Sequence, residues 1–566
     1  MEGRAGPVTG ASADLILKGG AVYTVDAARS WAQAVAVRGG KVTAVGADSD
    51  VKELAGPRTE VIDLQGRMVL PGFQDAHVHP IAGGLNRLRC DLSDLYSREA
   101  YFRAVTEYAE SHLGARWILG GGWAMGSFPG GTPRKEDLDA VVADRPAFLP
   151  NRDGHSAWVN SRALALAGIT SKSLDPPDGR IERDPAGEPS GVLHGGAMRL
   201  LDDLIPPPST EDCTRALVEA QAHLHSLGIT AWQEAIVGRY ASTPDCYDAY
   251  LRLAGQGRLT AKVVGALWWE RERGEEQIEA LVDRRARAQE GRFRATSVKI
   301  MQDGVPENLT AAMFEPYLDR SGRRTGDRGP SFVDPDALKR YAVHLDAAGF
   351  QVHFHAIGDR AIHEALDAVE AARQANGEGA ARHQIAHVQV VHPNDLPRFR
   401  ALSVAANVQP LWATFEPQMS DLTIPLLGPD RSRRQYPFRS LWRSGAVLAF
   451  GSDWPVSSPD PLWQIHTAVN RMPPPGYPYL PSEGTITDPF LPEERLDLPA
   501  AIAAATIGSA FVNHLDRRTG TIEEGKLADL VVLDRNLFAE DLVTIGAARV
   551  LLTLVEGERV YEDARL

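Results

Sequence analysis

Gly72-Phe73-Gln74-Asp75-Ala76-His77-Val78-His79-Pro80 follows directly on the apolar run Met68-Val69-Leu70-Pro71, and how this stretch folds decides the rest of the chain. In an extended strand successive side chains alternate between faces, so His77 and His79 point the same way and can hold one cation between two imidazoles. Taken alone, the pair is read equally well as the cap of a loop. Residues further along the chain must choose between the two.

Outward from that stretch toward the N-terminus, the pattern is short strands and tight turns. Asp14 to Gly20, Ala21 to Val25, Ala34 to Gly40, Lys41 to Gly46 and Glu60 to Gly66 are rich in Val, Ile and Leu and broken by Gly-Gly or Gln-Gly. The same grammar returns at the other end, in Gly520 to Lys526, Ala528 to Asp534, Val550 to Val555 and Arg559 to Tyr561. A few strands alone are marginally stable, so the two ends are expected to build one sandwich around an inserted middle. The expected boundaries are 1–67 for the first part of the sandwich, 68–495 for the middle, and 496–566 for a helix and the remaining sandwich strands.

The middle alternates β-branched runs with helix-like segments, the signature of β/α units around a parallel sheet. Candidate strands are 68–78, 228–235, 260–269, 295–303, 351–357, 384–390, 403–411 and 446–452, enough for a closed (β/α)8 TIM-like barrel of the α/β class. Helices are expected over Asp336 to Ala348, Arg360 to Ala375, Pro393 to Leu402 and Phe438 to Ser444, with Gly349 and Gly445 ending the first and last. About 150 residues separate the first two strands, far more than a β/α unit needs, so an α/β insertion at about 84–210 is expected to roof the barrel mouth. Asn308 to Val333, rich in Gly, Arg and Asp, reads as a mobile flap.

Composition narrows the function. With 43% hydrophobic and 24% charged residues over 566 positions, the chain is an ordinary globular one. A formal charge of −14 argues against nucleic acid or an anionic membrane as partner, and no apolar run approaches the roughly 18 residues of a membrane span. Met1 to Ala13 reads as a disordered tail without a secretory signal. Cys90, Cys213 and Cys246 form no pair in sequence, which fits a reducing, cytoplasmic location.

Further candidates fall at later strand ends: Lys299, His355, His387 and Asp453. In a closed barrel those ends converge on one mouth, and imidazoles with a carboxylate suit zinc or a similar divalent cation. Singly, His387 or His353 reads as a hydrogen-bonded core histidine. Lys299 at a buried strand end needs an acidic partner, a metal environment or carboxylation. His155, Trp158 and Asn160 in the insertion, with Asp303, Trp412 and Trp454, are candidate substrate contacts in an aromatic, partly polar pocket. Tryptophans at such positions also serve packing.

The stretches PGFQDAHVHP (71–80), DGHSAWVNSRAL (153–164), VKIMQDG (298–304), HFHAIGDRAI (353–362), IAHVQVVHPND (385–395), GSDWPV (451–456) and GTIEEGKLADLVVLD (520–534) together resemble the amidohydrolase superfamily of metal-dependent hydrolases, in the branch that includes N-substituted formamide deformylases. The resemblance implies a barrel with a composite sandwich and one or two divalent ions, zinc foremost. By position it implies His77, His79, Lys299, His355, His387 and Asp453 as ligands, with Lys299 in carboxylated form an option. Asp453, His355 and Lys299 are then expected to carry the chemistry, hydrolysis of a C–N amide bond by metal-activated hydroxide, with Asp453 moving the proton.

Relatives commonly carry a Gly-x-Leu-x-Glu type segment where this chain has Gly191-Val192-Leu193-His194-Gly195, so the contacts of that loop stay open. The expected partner is a small N-substituted amide or formamide, with a homodimer allowed. The alternatives are another C–N substrate, such as a cyclic amide, carbamate or acylamino acid, or a non-catalytic barrel scaffold.

Overall fold

The run read as one strand, 68–78, is two strands bent at Gly72. The computed structural model describes residues 12–93, 95–240, 244–288, 291–477 and 488–566. The tail expected over Met1 to Ala13 lies, up to residue 11, outside the described residues. Met68–Pro71 pairs antiparallel with Leu530–Leu533 and parallel with Ala21–Tyr23, in the sandwich. Phe73–Val78 belongs to a different sheet. A side chain at Gly72 would put its Cβ 2.4 Å from Thr230 Cγ2, so the crossing from one sheet to the next requires glycine.

The second sheet is the barrel. Its parallel strands follow in chain order: β1 (Phe73–Val78), β2 (Ile229–Val237), β3 (Lys262–Trp268), β4 (Phe293–Met301), β5 (Gln351–Ala356), β6 (Gln384–His387), β7 (Ala405–Val408) and β8 (Leu448–Phe450). All eight expected strands are present, and the barrel is nearly closed. The seam between β8 and β1 is joined just past the strand ends. There the Asp453 N–H donates to the His77 carbonyl at 2.7 Å, and the His79 N–H donates to the Trp454 carbonyl at 2.8 Å. Gly451 permits this approach, since its Cβ would lie 2.5 Å from His77 Cβ. The seam therefore welds the first and last candidate ligands to one another.

The helices that cover the barrel include Pro335–Ala347, Asp359–Asn376, Leu396–Ala401 and Phe438–Arg443, close to the expected ones. Asp334 caps the first of these through the Ala337 N–H. Their apolar faces and the outward side chains of the strands form one large core. The sandwich has its own core between a four-stranded and a six-stranded sheet. At the junction Lys262 Nζ, buried at the start of β3, lies 2.8 Å from Asp529 Oδ2 of the C-terminal segment.

The insertion carries a six-stranded sheet, ordered Gly179–Arg183, Pro189–Gly195, Ser156–Val159, Ala147–Pro150, Ile118–Gly121 and Cys90–Asp91. Asn308 to Val333 is not a loose flap: Arg431 donates to the carbonyls of Glu315 and Pro316, Asp359 accepts the Phe314 N–H, and Ala311, Met313 and Tyr317 are buried. Backbone groups so satisfied have little reason to open. The three cysteines are free and buried. Among the described residues no helix is long and apolar enough to cross a membrane.

Candidate active site

The barrel brings His77, His387 and Asp453 together, with ligand atoms within 4.8 Å of one another. His77 Nε2 lies 3.2 Å and His79 Nε2 2.9 Å from Asp453 Oδ1. Lys299 Nζ lies 3.3 Å from His77 Nε2, and the ring of His355 is 4.3 Å from that of His387. All six residues line one small cavity of about 80 Å³. All but His79 are buried.

Beneath them runs a chain of buried amides that sets the direction of the imidazoles. The side chain of Gln384 donates to Gln233 Oε1, Asn407 donates to Gln384 Oε1, and Gln409 donates to Asn407 Oδ1. Gln409 Oε1 can only accept, so His387 Nδ1–H donates to it at 3.0 Å and the His387 Nε2 lone pair is left for the cavity. Gln233 Oε1 likewise takes the Nδ1–H of His353. His353 Nε2 then accepts from His77 Nδ1–H at 2.9 Å, which turns the His77 Nε2 lone pair toward Asp453. A lone pair and a carboxylate oxygen 3.2 Å apart repel unless a positive charge lies between or beside them; Lys299 and His79 stand beside them here, and a divalent ion would take up the same position. His355 Nδ1 is also buried without a hydrogen bond. This donor set of neutral imidazoles and one carboxylate fits a divalent cation.

The protonation states agree with that geometry for His77, His355 and His387, whereas His79 is held protonated by its two carboxylate neighbours and would have to lose that proton to bind a cation. Burial holds His77, His355 and His387 well below the ordinary histidine pKa, reinforced for His77 and His355 mainly by the Lys299 charge and for His387 by His355. Burial brings Lys299 down to about 7, against the opposing pull of Asp453. For Asp453 burial acts upward but is outweighed by the hydrogen bond and charge of His79, so the carboxyl is lowered. His79 shows the reverse balance: burial disfavours its charge, yet Asp453 and Glu234 hold it up at about 9.

Of the expected substrate contacts, His155 and Trp412 line the cavity. Trp412 stacks on His387 with ring planes 6° apart. The others are engaged elsewhere. Trp158 is buried against Trp123 and Phe128 and donates to the Arg134 carbonyl. Asn160 caps Ser161–Leu166, and its amide donates to the Val142 and Arg145 carbonyls, so both residues serve the insertion's own packing. Trp454 packs against Gly83 and His223. Asp303, fully buried, accepts the N–H groups of Ala312, Ile357 and Gly358 and stands 3.4 Å from His355 Nδ1, so it braces the end of β5. His194 is held between Ser156 Oγ at 2.8 Å and Glu182 at 3.1 Å.

Glu234 was missed by sequence reasoning. It lies on β2, with Oε1 3.7 Å from His79 Nδ1 and Oε2 accepting from the Tyr250 hydroxyl at 2.9 Å. The available signal was the Gln233-Glu234 pair inside an otherwise apolar strand, since buried charge needs a partner. Gln384, Asn407 and Gln409 carry the same signal.

A (β/α)8 barrel with a composite sandwich and a His/His/Asp cluster at its C-terminal mouth has the architecture of the metal-dependent barrel hydrolases. Residues 60–561 match the model of the amidohydrolase family Amidohydro_3, and the chain belongs to that family. It is 32% identical to the Arabidopsis thaliana protein LONG AFTER FAR-RED 3, over 98% of this chain and 93% of that one. It is 27% identical to N-substituted formamide deformylase of Arthrobacter pascens, over 97% and 98% of the two chains. Among solved structures, an uncharacterized metal-dependent hydrolase of Pyrococcus furiosus superposes with a TM-score of 0.68 at 27% identity, over 92% of this chain and 99% of that one.

Proposed function

We propose that the chain hydrolyses the C–N bond of a small N-substituted amide or formamide, using one or two divalent ions, zinc foremost, held by His77, His79, Lys299, His355, His387 and Asp453. The observation that carries this reading is the pair of facing acceptors, His77 Nε2 and Asp453 Oδ1, 3.2 Å apart beside the buried neutral imidazoles of His355 and His387. A divalent ion bound there supplies Lewis acidity, polarising a carbonyl and lowering the pKa of a water. Lys299, brought down to about 7, offers a neutral amine for carboxylation, which would turn it from a like-charged neighbour of the ion into an anionic ligand. Asp453 accepts the proton lost by the attacking water and returns it to the departing nitrogen, while His79 fixes the carboxylate. The small cavity over the ligands suits a compact reacting group. The likeness to the formamide deformylase supports amides as the substrate class, and the three free cysteines support a cytoplasmic setting.

Asp453→Asn is expected to retain bound metal and lose at least about a hundredfold in turnover; near-normal turnover removes Asp453 as the proton carrier. A screen over formamides, anilides and acylamino acids tests the bond and the substrate class together, and activity confined to esters or phosphates contradicts the reading.

A further inference from the structure

The cavity over the imidazoles is flanked by two larger ones, the first the more apolar. One, about 310 Å³, lies between the helix Pro80–Arg87 and the insertion. Ile81 and Leu85 form one wall, Leu119 and Phe148 of the insertion sheet another, and Met198 and Ile205 close it. His79, Tyr240 and Val456 line both this cavity and the small one at the ligands, so the apolar chamber begins at the candidate metal ligands themselves. The other, about 500 Å³, is lined by His155, Tyr240 and Trp268 and is polar at its far side, where Asp178 sits between Arg199 and Arg271. The first cavity also has charged side chains at its edge, Arg89, Asp202 and Arg239 among them, so a group held at the ligands meets a hydrocarbon wall within a polar border on one side and the Asp178 ion pairs on the other.

We propose that the first chamber is a specificity pocket for an apolar alkyl or aryl substituent carried next to the scissile bond, with Leu119, Phe148, Met198 and Ile205 of the insertion selecting its length. This rests on the amide-hydrolase reading and extends it to a substrate class: an amide with a hydrocarbon arm. Such an arm loses its apolar surface to the chamber walls, and each methylene buried strengthens binding about fourfold. The arm can belong to either side of the bond, as the N-substituent or as the acyl chain, and one chamber serves both chemistries.

The test has three series against the metal-loaded protein. N-alkylformamides and N-acylglycines of increasing chain length place the arm on nitrogen and on the acyl side respectively. Alkyl hydroxamates, which anchor on a metal without being hydrolysed, report affinity alone. The expected result is that hydroxamate affinity, and kcat/KM in one of the two amide series, rise about three- to fourfold per methylene until the chamber is full. Leu119→Asp flattens the slope, and Leu119→Trp moves its plateau to shorter chains. A flat hydroxamate series with amides still hydrolysed overturns the chamber and leaves the amide reading intact. A rising hydroxamate series with no amide hydrolysed overturns the amide reading and leaves the apolar pocket standing. Absence of binding by any hydroxamate, with no amide hydrolysed, overturns both.

Discussion

A single amide oxygen, Gln409 Oε1, decides which nitrogen of His387 faces the cavity. Residues that touch a ligand's far nitrogen usually tune metal affinity by about 10- to 100-fold, because they fix both ring orientation and tautomer. Gln409→Leu is therefore expected to weaken metal binding by about that factor in a chelator competition, with the fold retained. Unchanged affinity would show that the stack of Trp412 on His387 orients the ring by itself. His353 acts in the same way on His77. Its place was partly legible, because a period of two puts it on the face of His355. Its hydrogen bond to His77 was not, because register between β1 and β5 is set by the whole barrel and by no local pattern.

At the scale of elements, the insertion is fastened over the mouth by Arg152, whose guanidinium holds Glu416 of the segment after β7 at 2.8 Å, with both side chains nearly buried. Removing one partner of such a buried pair costs about 3–5 kcal/mol, and Gln418 Oε1, which accepts from Arg152 at 3.2 Å, is neutral and does not replace the carboxylate charge. Glu416→Leu is expected to lower stability by about that amount and to speed hydrogen exchange in Ala147–Pro150 and Ser156–Val159. An unchanged melting temperature contradicts the clamp. The barrel strands were legible because β-branched runs of the right length recur, and Gly349 and Gly445 marked helix ends. The break at Gly72 was not, since Met68 to Val78 has the length and pattern of one strand and only the approach of Thr230 shows why the chain must turn. Within DGHSAWVNSRAL, His155 reaches the cavity while Trp158 and Asn160 turn into the insertion. One motif thus mixes site and scaffold, and pattern alone does not separate them.

For the whole molecule, acid stability follows from buried histidines that do not line the ligand cavity. Burial brings His225 and His466 down to about 4, against an ordinary value of 6.5. The unfolded chain therefore takes up protons first as pH falls: the stabilisation is complete above about 6.5 and is lost toward pH 4, by roughly 3 kcal/mol for each group at most. In chelator, so that metal release does not contribute, the urea midpoint is expected to fall steadily between pH 7 and pH 4.5; a flat profile contradicts the buried neutral states. Closure of the barrel is the larger consequence of the fold, because the seam at Asp453 and His77 makes the candidate ligand set complete only when β8 meets β1. The central claim is that this closed cluster holds a divalent ion. Elemental analysis by mass spectrometry of the purified chain and of His387→Ala tests it most directly. About one or two divalent ions per chain, reduced in the variant together with turnover, is the predicted result; a metal-free chain with full hydrolytic activity would contradict it.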